Sequence, residues 1–413
     1  METDYINLIF EGFIDIYNNP RNAIMWLIAG FLMYFGIAKK KEPLLLVPIS
    51  FGVLLANLPL GELVKPSSGE GEPMGFLLFF QENGLHTDLL PLLVFLGLGA
   101  LTDFSPVISN PKTLLLGAAA QAGVFVALIG TLLLNPIFDF GLLEASSVGI
   151  IGGADGPTTI FIASRMKELG NSLGVGVQDI VGATAVAAYS YMALVPLIQP
   201  PIIKFFTTKK ERQIVMPPPK REVSKRAKIL FPIICTIVIS ILVPKASPLV
   251  GILMFGNLMR ECGVVERLSS TAQNELMNIV VIILGLAVGS TMPGEVFLKF
   301  QTIAIFVLGL VAFITATIAG ILLAKLMNLV SKEKINPMIG AAGVSAVPMA
   351  ARVVQEMAQK EKPGNMLLMH AMGPNIAGVI GTATVAGVLL SLVPGLIGSV
   401  SYTHLTLPTK DSV

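Results

Sequence analysis

The chain has 413 residues, of which 54% are hydrophobic and only 13% are charged, and its mean hydropathy is +0.78. Soluble domains carry about 25% charged residues, so this composition predicts a polytopic membrane protein and excludes an ordinary soluble one. The net charge of +2 says little about partners, because the distribution of charge matters more than its sum, and the basic stretch 204–228 indicates membrane topology rather than a nucleic-acid partner. The two isolated cysteines, Cys235 and Cys262, predict neither a disulfide framework nor a thiolate metal site.

Ten apolar segments are long enough, or nearly long enough, to span a membrane. They lie at about 23–38, 44–57, 89–101, 113–134, 178–200, 228–243, 246–260, 276–290, 301–329 and 366–390. Two further apolar segments, 147–165 and 335–355, are interrupted by Gly and Pro, which predicts re-entrant or discontinuous helices. The fold class that we predict is therefore an all-α membrane protein with about ten transmembrane helices.

A weak internal repeat relates the two halves of the chain. Leu96–Leu98 reappears as Leu284–Leu286, and Ile151–Gly152 reappears as Ile339–Gly340, in both cases 188 positions later. Upstream, Phe51–Gly52 matches Phe255–Gly256 and the span 23–38 matches 228–243, at a shift of about 204. The difference of 16 residues fits a longer loop after Asn57 in the first half, and the consistent register indicates a duplicated unit.

Basic residues orient these halves, because cytoplasmic loops are enriched in Lys and Arg. Lys39–Lys41 place the end of the first span inside, and the basic stretch 204–228 falls inside only if segment 147–165 does not cross. Each half then crosses five times, so the repeats are inverted, each with a re-entrant or broken helix at the ion site. This architecture is typical of ion-coupled transporters.

These features divide the chain into five predicted regions. They are an N-terminal segment (1–20), the first half (21–203), a basic cytoplasmic linker (204–227), the second half (228–398) and a tail (399–413). The first 20 residues are acidic, so we expect no cleavable signal peptide. The tail looks like translated adapter sequence and is predicted to be non-native, the alternative being a real extramembrane tail.

Asp155 is the strongest candidate site residue, because it lies between helix breakers in the apolar run Gly152–Thr159. A carboxylate at membrane depth costs roughly 2.5–3.5 kcal/mol on insertion scales and is seldom placed there without a function. The alternative is an aspartate that caps a helix in a tight turn. Thr158 and Thr159 add hydroxyls that could coordinate a cation or bond back to their own helix.

The matching segment in the second half carries Asn336, Ser345 and Arg352 along a Gly/Ala-rich path. Small residues there could serve only close helix packing, and Arg352 could simply reach the cytoplasmic surface. Asn375 follows a Gly-Pro pair that predicts another helix break, and Tyr191 lies in the corresponding apolar helix of the first half. One carboxylate with neutral oxygens suits a monovalent cation better than Ca²⁺, which usually gathers more carboxylates.

Four long motifs carry a resemblance to a known family. They are Gly-Gly-Ala-Asp-Gly-Pro-Thr (152–158), Ala-Tyr-Ser-Tyr-Met-Ala-Leu-Val-Pro (188–196), Gly-Val-Ser-Ala-Val-Pro-Met-Ala-Ala-Arg (343–352) and His-Ala-Met-Gly-Pro-Asn (370–375). Together they resemble the beta subunit of the sodium-pumping biotin-dependent decarboxylases, which act on oxaloacetate, methylmalonyl-CoA, glutaconyl-CoA or malonate. The resemblance covers about residues 20–398.

This resemblance implies a translocase that decarboxylates carboxybiotin, consumes a proton from the outer side and exports Na⁺. It implies Asp155 as a principal Na⁺ ligand, with Asn336, Ser345 and Asn375 shaping the same or a second cation site. The catalytic residues would then be Asp155, Tyr191, Ser345 and Arg352. Tyr191 would lie in the proton path, and Arg352 would bind the carboxylate of carboxybiotin.

The same resemblance implies the partners. They are an alpha subunit that supplies the carboxyltransferase and brings the biotin, a small gamma subunit, further copies of the beta subunit, and the lipid of a bacterial or archaeal inner membrane. The chain itself has no biotinyl-lysine motif. The alternatives are a secondary sodium–carboxylate transporter or cation/proton antiporter, and a purely structural subunit, which leaves Asp155 unexplained.

Overall fold

The computed structural model describes residues 11–40, 42–67, 73–217, 223–331 and 333–405, and this part of the chain is helical with no strand. A helical segment at 11–18 precedes the numbered helices. In chain order these are α1 (Pro20–Ile37), α2 (Pro43–Ala56), α3 (Phe76–Phe80), α4 (Leu89–Leu101), α5 (Ser105–Ser109), α6 (Thr113–Ala120), α7 (Ala122–Leu133), α8 (Asn135–Phe138), α9 (Leu142–Gly149), α10 (Gly156–Leu173), α11 (Val181–Phe206), α12 (Lys209–Arg212), α13 (Lys225–Leu242), α14 (Ser247–Cys262), α15 (Glu266–Thr271), α16 (Met277–Ser290), α17 (Gly294–Phe297), α18 (Phe300–Val330), α19 (Met338–Ala341), α20 (Met349–Glu361) and α21 (Leu368–Leu405).

Several of these helices are long and apolar enough to cross a membrane. Within the described residues, four pass by length and composition: Thr113–Leu133, Glu266–Ser290, Phe300–Val330 and Leu368–Ile397. Two bent pairs raise the number to six if each is one span: Phe76–Leu85 with Leu89–Leu101, bent by 64°, and Val181–Met192 with Leu194–Phe206, bent by 62°. The predicted all-α class with apolar spans is thus confirmed, and the figure of ten spans stays a prediction.

The helices of the two halves pack crosswise. α2 lies against α16, and α4 lies against α14. In the sequence repeat, α2 corresponds to α14 and α4 corresponds to α16. The contact of α2 with α16 is therefore equivalent to the contact of α14 with α4, with the first and second halves exchanged.

Two close glycine contacts also occur at equivalent positions of the two halves. A Cβ on Gly152 would lie 2.4 Å from the carbonyl carbon of Gly123 in α7. A Cβ on Gly340 would lie 2.1 Å from the carbonyl oxygen of Gly320 in α18. Real Cβ atoms do not approach so closely, so only glycine allows each broken segment to touch the long helix that precedes it.

Both predicted helix breaks are present. In the first, a 3₁₀ turn at Ile150–Gly153 ends at Ala154, whose φ of 55° lies in the left-handed region, and α10 begins after Asp155. In the second, α19 ends at Ala341 and residues 342–348 are not helical until α20 begins. Gly disfavours a continuous helix through its conformational freedom and Pro through its missing N–H, so these residues favour the two interruptions, as the sequence predicted.

The predicted break at Gly373-Pro374 is wrong, because α21 runs continuously through Pro374. An internal proline removes one helical hydrogen bond but does not force a helix to end when neighbouring elements support it. Support comes from α6, since a Cβ on Gly373 would lie 2.9 Å from Thr113 Oγ1.

The predicted tail is only partly described. Residues 399–405 continue α21, so this part of the tail is helical. Residues 406–413 of the tail and residues 1–10 of the N-terminal segment lie outside the described residues.

Candidate functional site

Asp155 is the N-cap residue of α10, and its side chain is buried, with 4% exposed. Its carboxylate accepts a hydrogen bond from Thr158 Oγ1 at 2.7 Å and another from Thr158 N at 3.4 Å. Thr159 does not reach the carboxylate, because its hydroxyl donates to the Asp155 carbonyl oxygen at 2.7 Å. Asp155 therefore caps the helix and still has acceptor capacity, since an ionised carboxylate offers about four lone-pair positions.

Asn375 on α21 holds the second break in shape. Its Nδ2 donates to the carbonyl oxygens of Ala342 at 3.0 Å, Val344 at 2.6 Å and Ala346 at 3.4 Å. Its Oδ1 is buried and has no hydrogen-bond partner. A buried amide oxygen without a donor costs free energy, so it is an available ligand for a cation.

The two breaks meet at a single peptide contact. Ser345 N in the second break donates to Gly153 O in the first at 3.0 Å. The Ser345 hydroxyl lies 2.8 Å from the hydroxyl of Thr382 on α21. Residues about 190 positions apart in the sequence are thus held together where both helices are interrupted.

A cavity of about 240 Å³, which we name the Asp155 cavity, lies beside this contact. Asp155 lines it from the first break and Ser345 from the second, and Glu42 and Thr102 line it from the loops after α1 and α4. The remaining lining is mostly apolar. The volume is below the roughly 300–1,000 Å³ of typical small-molecule pockets, so it suits an ion or a small head group rather than a whole cofactor.

Tyr189, rather than Tyr191, lies in the Asp155 cavity. The Tyr189 ring packs against the start of α10, where a Cβ on Gly156 would lie 2.0 Å from it, and its hydroxyl is buried without a partner. The Tyr191 hydroxyl donates to the carbonyl oxygen of Phe306 on α18. Residues two apart on a helix point about 200° apart, so the sequence alone could not choose between these phenols.

Asn336 is not among the residues that line the cavity, and its amide is fully engaged elsewhere. Its Nδ2 donates to the carbonyl oxygens of Arg212 at 3.0 Å and Ile214 at 2.9 Å, and its Oδ1 accepts from Met338 N at 3.1 Å. These bonds attach the second broken segment to the basic linker. The structure therefore brings Asp155, Ser345 and Asn375 to the breaks but does not bring Asn336 to the cavity.

Arg352 is exposed on the first turns of α20, and the described residues offer it no ion-pair partner. Its charge nevertheless acts on Glu42 in the turn between α1 and α2. Burial raises the pKa of Glu42, and the positive charge of Arg352 offsets part of that rise. Arg352 therefore lies within electrostatic range of Glu42, which lines the cavity.

The described residues contain no group of three or more His, Cys, Asp or Glu side chains that could hold a metal ion. The available donors at the breaks are instead one carboxylate, hydroxyls, an amide oxygen and backbone carbonyls. Such a set, with a single negative charge, fits a monovalent hard cation.

Comparisons with known proteins identify the family of the chain. Residues 21–393 match the family model of the Na⁺-transporting oxaloacetate decarboxylase beta subunit. The chain is 53% identical over 408 residues to the methylmalonyl-CoA decarboxylase subunit beta of Propionigenium modestum, covering 93% of this chain and all of the relative.

Two further relatives act on other substrates. The glutaconyl-CoA decarboxylase subunit beta of Acidaminococcus fermentans is 54% identical over 374 residues, which cover 91% of this chain and 94% of the relative. The oxaloacetate decarboxylase beta chain of Klebsiella pneumoniae is 46% identical over 438 residues, which cover 94% of this chain and 99% of the relative. The chain therefore belongs to the family of beta subunits of the Na⁺-transporting decarboxylases.

Proposed function

We propose that this chain is the membrane subunit that decarboxylates carboxybiotin and uses the reaction to export Na⁺. The observation that carries the proposal is the meeting of two helix breaks, joined by Ser345 N and Gly153 O, beside the buried carboxylate of Asp155. In this proposal Asp155 supplies the cation ligand in the cavity, and a small head group enters beside it.

We propose that Na⁺ binds to Asp155 with help from Ser345 Oγ, which lines the same cavity. Asn375 is not among the residues that line the cavity, but it holds the second break and would contribute its unpartnered Oδ1. Each of these groups offers a lone pair without a change of protonation. The Tyr189 hydroxyl, buried and unpartnered beside Asp155, is a better placed proton carrier than Tyr191, whose hydroxyl is engaged. Asn336 would hold the second break on the linker rather than bind the ion.

The reaction itself needs an anion site and a proton. Loss of CO₂ breaks the bond between the carboxyl carbon and the ureido nitrogen of biotin, and the electron pair stays on that nitrogen until a proton arrives. Arg352, exposed and within electrostatic range of Glu42, would hold the carboxylate beforehand. If the proton and Na⁺ compete for Asp155 and its hydroxyl neighbours, proton delivery expels Na⁺, which couples the two events.

The topology that we propose has ten spans in two inverted repeats. The first broken segment returns to the side from which it enters, because a Cβ on Gly170 near the end of α10 would lie 3.2 Å from Leu143 near the start of α9. The second also returns, because the linker residue Arg212 pairs with Glu361 at the end of α20 at 2.8 Å and accepts from Asn336 before α19.

These two hairpins open on opposite sides because α11 separates them. Gln178 N, just before α11, donates to Glu144 Oε1 in α9 at 2.9 Å, whereas Arg212 follows the other end of α11. The 26 residues of α11 contain roughly 39 Å of helix along their path, and with the bend of 62° their ends would still be separated by roughly the 30 Å of a hydrocarbon core. One hairpin thus enters from outside and the other from inside.

The exposed face of α13 supports a further span. Ile234, Ile237 and Ile241 on this helix are 54%, 54% and 74% exposed. An apolar face of this kind is stable against lipid tails or another chain. The polar start of α13, with Lys225 and Arg226, would then lie on the cytoplasmic side.

The partners and location belong to the same proposal. Beta subunits of these decarboxylases work with alpha and gamma subunits. We propose that an alpha subunit delivers carboxybiotin, that a gamma subunit and further beta copies complete the complex, and that it resides in a bacterial or archaeal inner membrane. We also propose the division into halves 21–203 and 228–398 around the linker 204–227, with a non-native tail from 399. The family match does not favour a secondary transporter.

The test is carboxybiotin decarboxylation by the reconstituted complex in proteoliposomes, with ²²Na⁺ movement measured in parallel. Asp155→Asn should abolish both sodium-stimulated CO₂ release and Na⁺ movement. Asp179→Asn is the control, because Asp179 is 42% exposed and pairs with Lys167 at 2.7 Å outside the cavity. Sodium-stimulated decarboxylation that persists in Asp155→Asn would overturn the proposal, and Na⁺ flux without CO₂ release would indicate a secondary transporter.

A further inference from the structure

A buried chain of hydrogen bonds extends from Ser345 away from the cavity. The Ser345 hydroxyl lies 2.8 Å from Thr382 Oγ1, and Thr382 Oγ1 donates to Gln121 Oε1 at 3.3 Å. Thr382 is fully buried, and Gln121, between α6 and α7, is 4% exposed. Neither residue stands out in the sequence, because each is a neutral polar side chain in an apolar segment.

At Gln121, the far end of this series of hydrogen bonds, the direction of donation is fixed. Gln121 Nε2 donates to the carbonyl oxygens of Gly117 at 3.3 Å and Gly378 at 3.4 Å. Carbonyl oxygens only accept, so the NH₂ group of the amide must face them and its oxygen must face Thr382. Thr382 therefore spends its single hydroxyl proton on Gln121.

The polarity is transmitted to Ser345. Because the proton of Thr382 is used, Thr382 Oγ1 can only accept from Ser345, and the Ser345 proton must point toward Thr382. The lone pairs of Ser345 Oγ are left for the Asp155 cavity, which Ser345 lines. A hydroxyl oriented in this way binds a cation and cannot donate to an anion.

We propose that Thr382 and Gln121 are positioning residues that fix Ser345 Oγ as a cation ligand. The inference rests on the proposed function, because it assumes that Na⁺ binds at the two breaks. Neither residue touches the ion. Each acts through the direction of a proton, and Thr382 is also in contact with the first break, where a Cβ on Gly153 would lie 2.6 Å from its Oγ1.

The test compares Thr382→Val with Thr384→Val in the complete complex. Valine is nearly isosteric with threonine but has no hydroxyl. Thr384 is one residue beyond Ala383 on the same helix, half-buried, and its hydroxyl only bonds back to Ile380 O at 2.7 Å. The readouts are the Na⁺ concentration for half-maximal decarboxylation, the maximal rate, and the rise in melting temperature when NaCl replaces choline chloride.

Thr382→Val should raise the half-activating Na⁺ concentration roughly five- to tenfold, because one oriented hydrogen bond is worth about 1 kcal/mol. Its maximal rate at saturating Na⁺ should stay within about twofold. Thr382→Ser should restore the wild-type value, and Thr384→Val should not differ from wild type. Gln121→Leu should act in the same direction as Thr382→Val and replaces it if that variant does not assemble.

Three results would overturn the inference. They are equal Na⁺ dependence of Thr382→Val and Thr384→Val, a loss of maximal rate with unchanged half-activation, or failure of Thr382→Ser to restore Na⁺ dependence. Asp155→Asn distinguishes this from failure of the proposed function. If Asp155→Asn retains sodium-stimulated activity, the Na⁺ site itself is misplaced. If Asp155→Asn loses sodium-stimulated activity while Thr382→Val has the same Na⁺ dependence as Thr384→Val, only the positioning role fails.

Discussion

The two helix breaks occupy matching places in the two halves, but they differ in length and in chemistry. The first is two residues long, and Thr158 donates two hydrogen bonds to the buried carboxylate of Asp155. The second leaves residues 342–348 outside helices and contributes the neutral hydroxyl of Ser345. The nearest charge along the chain from Ser345 is the guanidinium of Arg352, exposed on α20. The duplicated frame therefore carries its negative group in one half and its positive group in the other.

The largest expected effect comes from moving the carboxylate to the other break. Asp155→Asn combined with Ser345→Asp keeps the net charge of the cavity. It places the carboxylate beside Thr382 Oγ1, away from the hydroxyl and N–H of Thr158. We expect decarboxylation to stay at least about 100-fold below wild type, because an ill-supported buried charge costs several kcal/mol. Recovery to within tenfold would show that the two breaks are interchangeable.

A smaller effect should separate the anion from the cation. Arg352→Ala should raise the half-saturating concentration of carboxybiotin by roughly 10- to 100-fold, because a charge-assisted bond to a carboxylate is lost. The half-activating Na⁺ concentration should change less than about twofold. Lys360→Ala is the matched control, since Lys360 is another exposed cation, in the last turn of the same helix. A change in the half-activating Na⁺ concentration alone would show that Arg352 affects Na⁺ binding and not the binding of the carboxylate.

A still smaller effect tests the equivalence of the two frames. Gly152→Ala and Gly340→Ala each force a Cβ against the backbone of a long helix, at 2.4 Å and 2.1 Å. Overpacking costs about 1–3 kcal/mol, so both variants should lower the apparent melting temperature by several degrees and to a similar extent. Gly30→Ala should not, because nothing lies within 4 Å of its added Cβ. Destabilisation by only one of the pair would contradict the exchange of halves.

The smallest effect concerns Glu42, whose pKa burial raises above its ordinary value of 4.5. Ionised Glu42 therefore costs stability in the folded protein, and this cost appears as pH rises through its folded-state pKa. Glu42→Gln should raise the melting temperature at neutral pH, and the difference from wild type should vanish below about pH 4.5, where both states are protonated. A difference that does not change with pH would assign the effect to packing.

The sequence predicted the helices and their interruptions better than it predicted which side chains line the Asp155 cavity. Segment 89–101 coincides with α4, and both Gly/Pro-broken segments are broken, since helix breakers act locally. The break at Pro374 was wrongly predicted, because tertiary packing decides whether a helix continues through a proline.

The side chains that meet in the cavity depend on contacts between distant parts of the chain. Asp155 was found because a membrane carboxylate stands out locally. Tyr189 could not be separated from Tyr191, nor could Asn336 be assigned to the linker, without knowledge of what faces each side chain. Gln121 and Thr382 carry no local signal, since their proposed role arises only from the order of donors and acceptors across three separate segments of the chain.

The bond between Ser345 N and Gly153 O also has an electrical consequence. In the proposed topology the two hairpins enter from opposite faces and meet at this peptide, so water in the mouths of both hairpins would leave the thinnest insulating layer there. The transmembrane voltage would then fall over a few ångströms instead of the full bilayer. Moving one elementary charge through that layer costs about 2.3 kcal/mol per 100 mV. A short displacement of Na⁺ past the tips of the hairpins would therefore perform nearly all the electrical work of export.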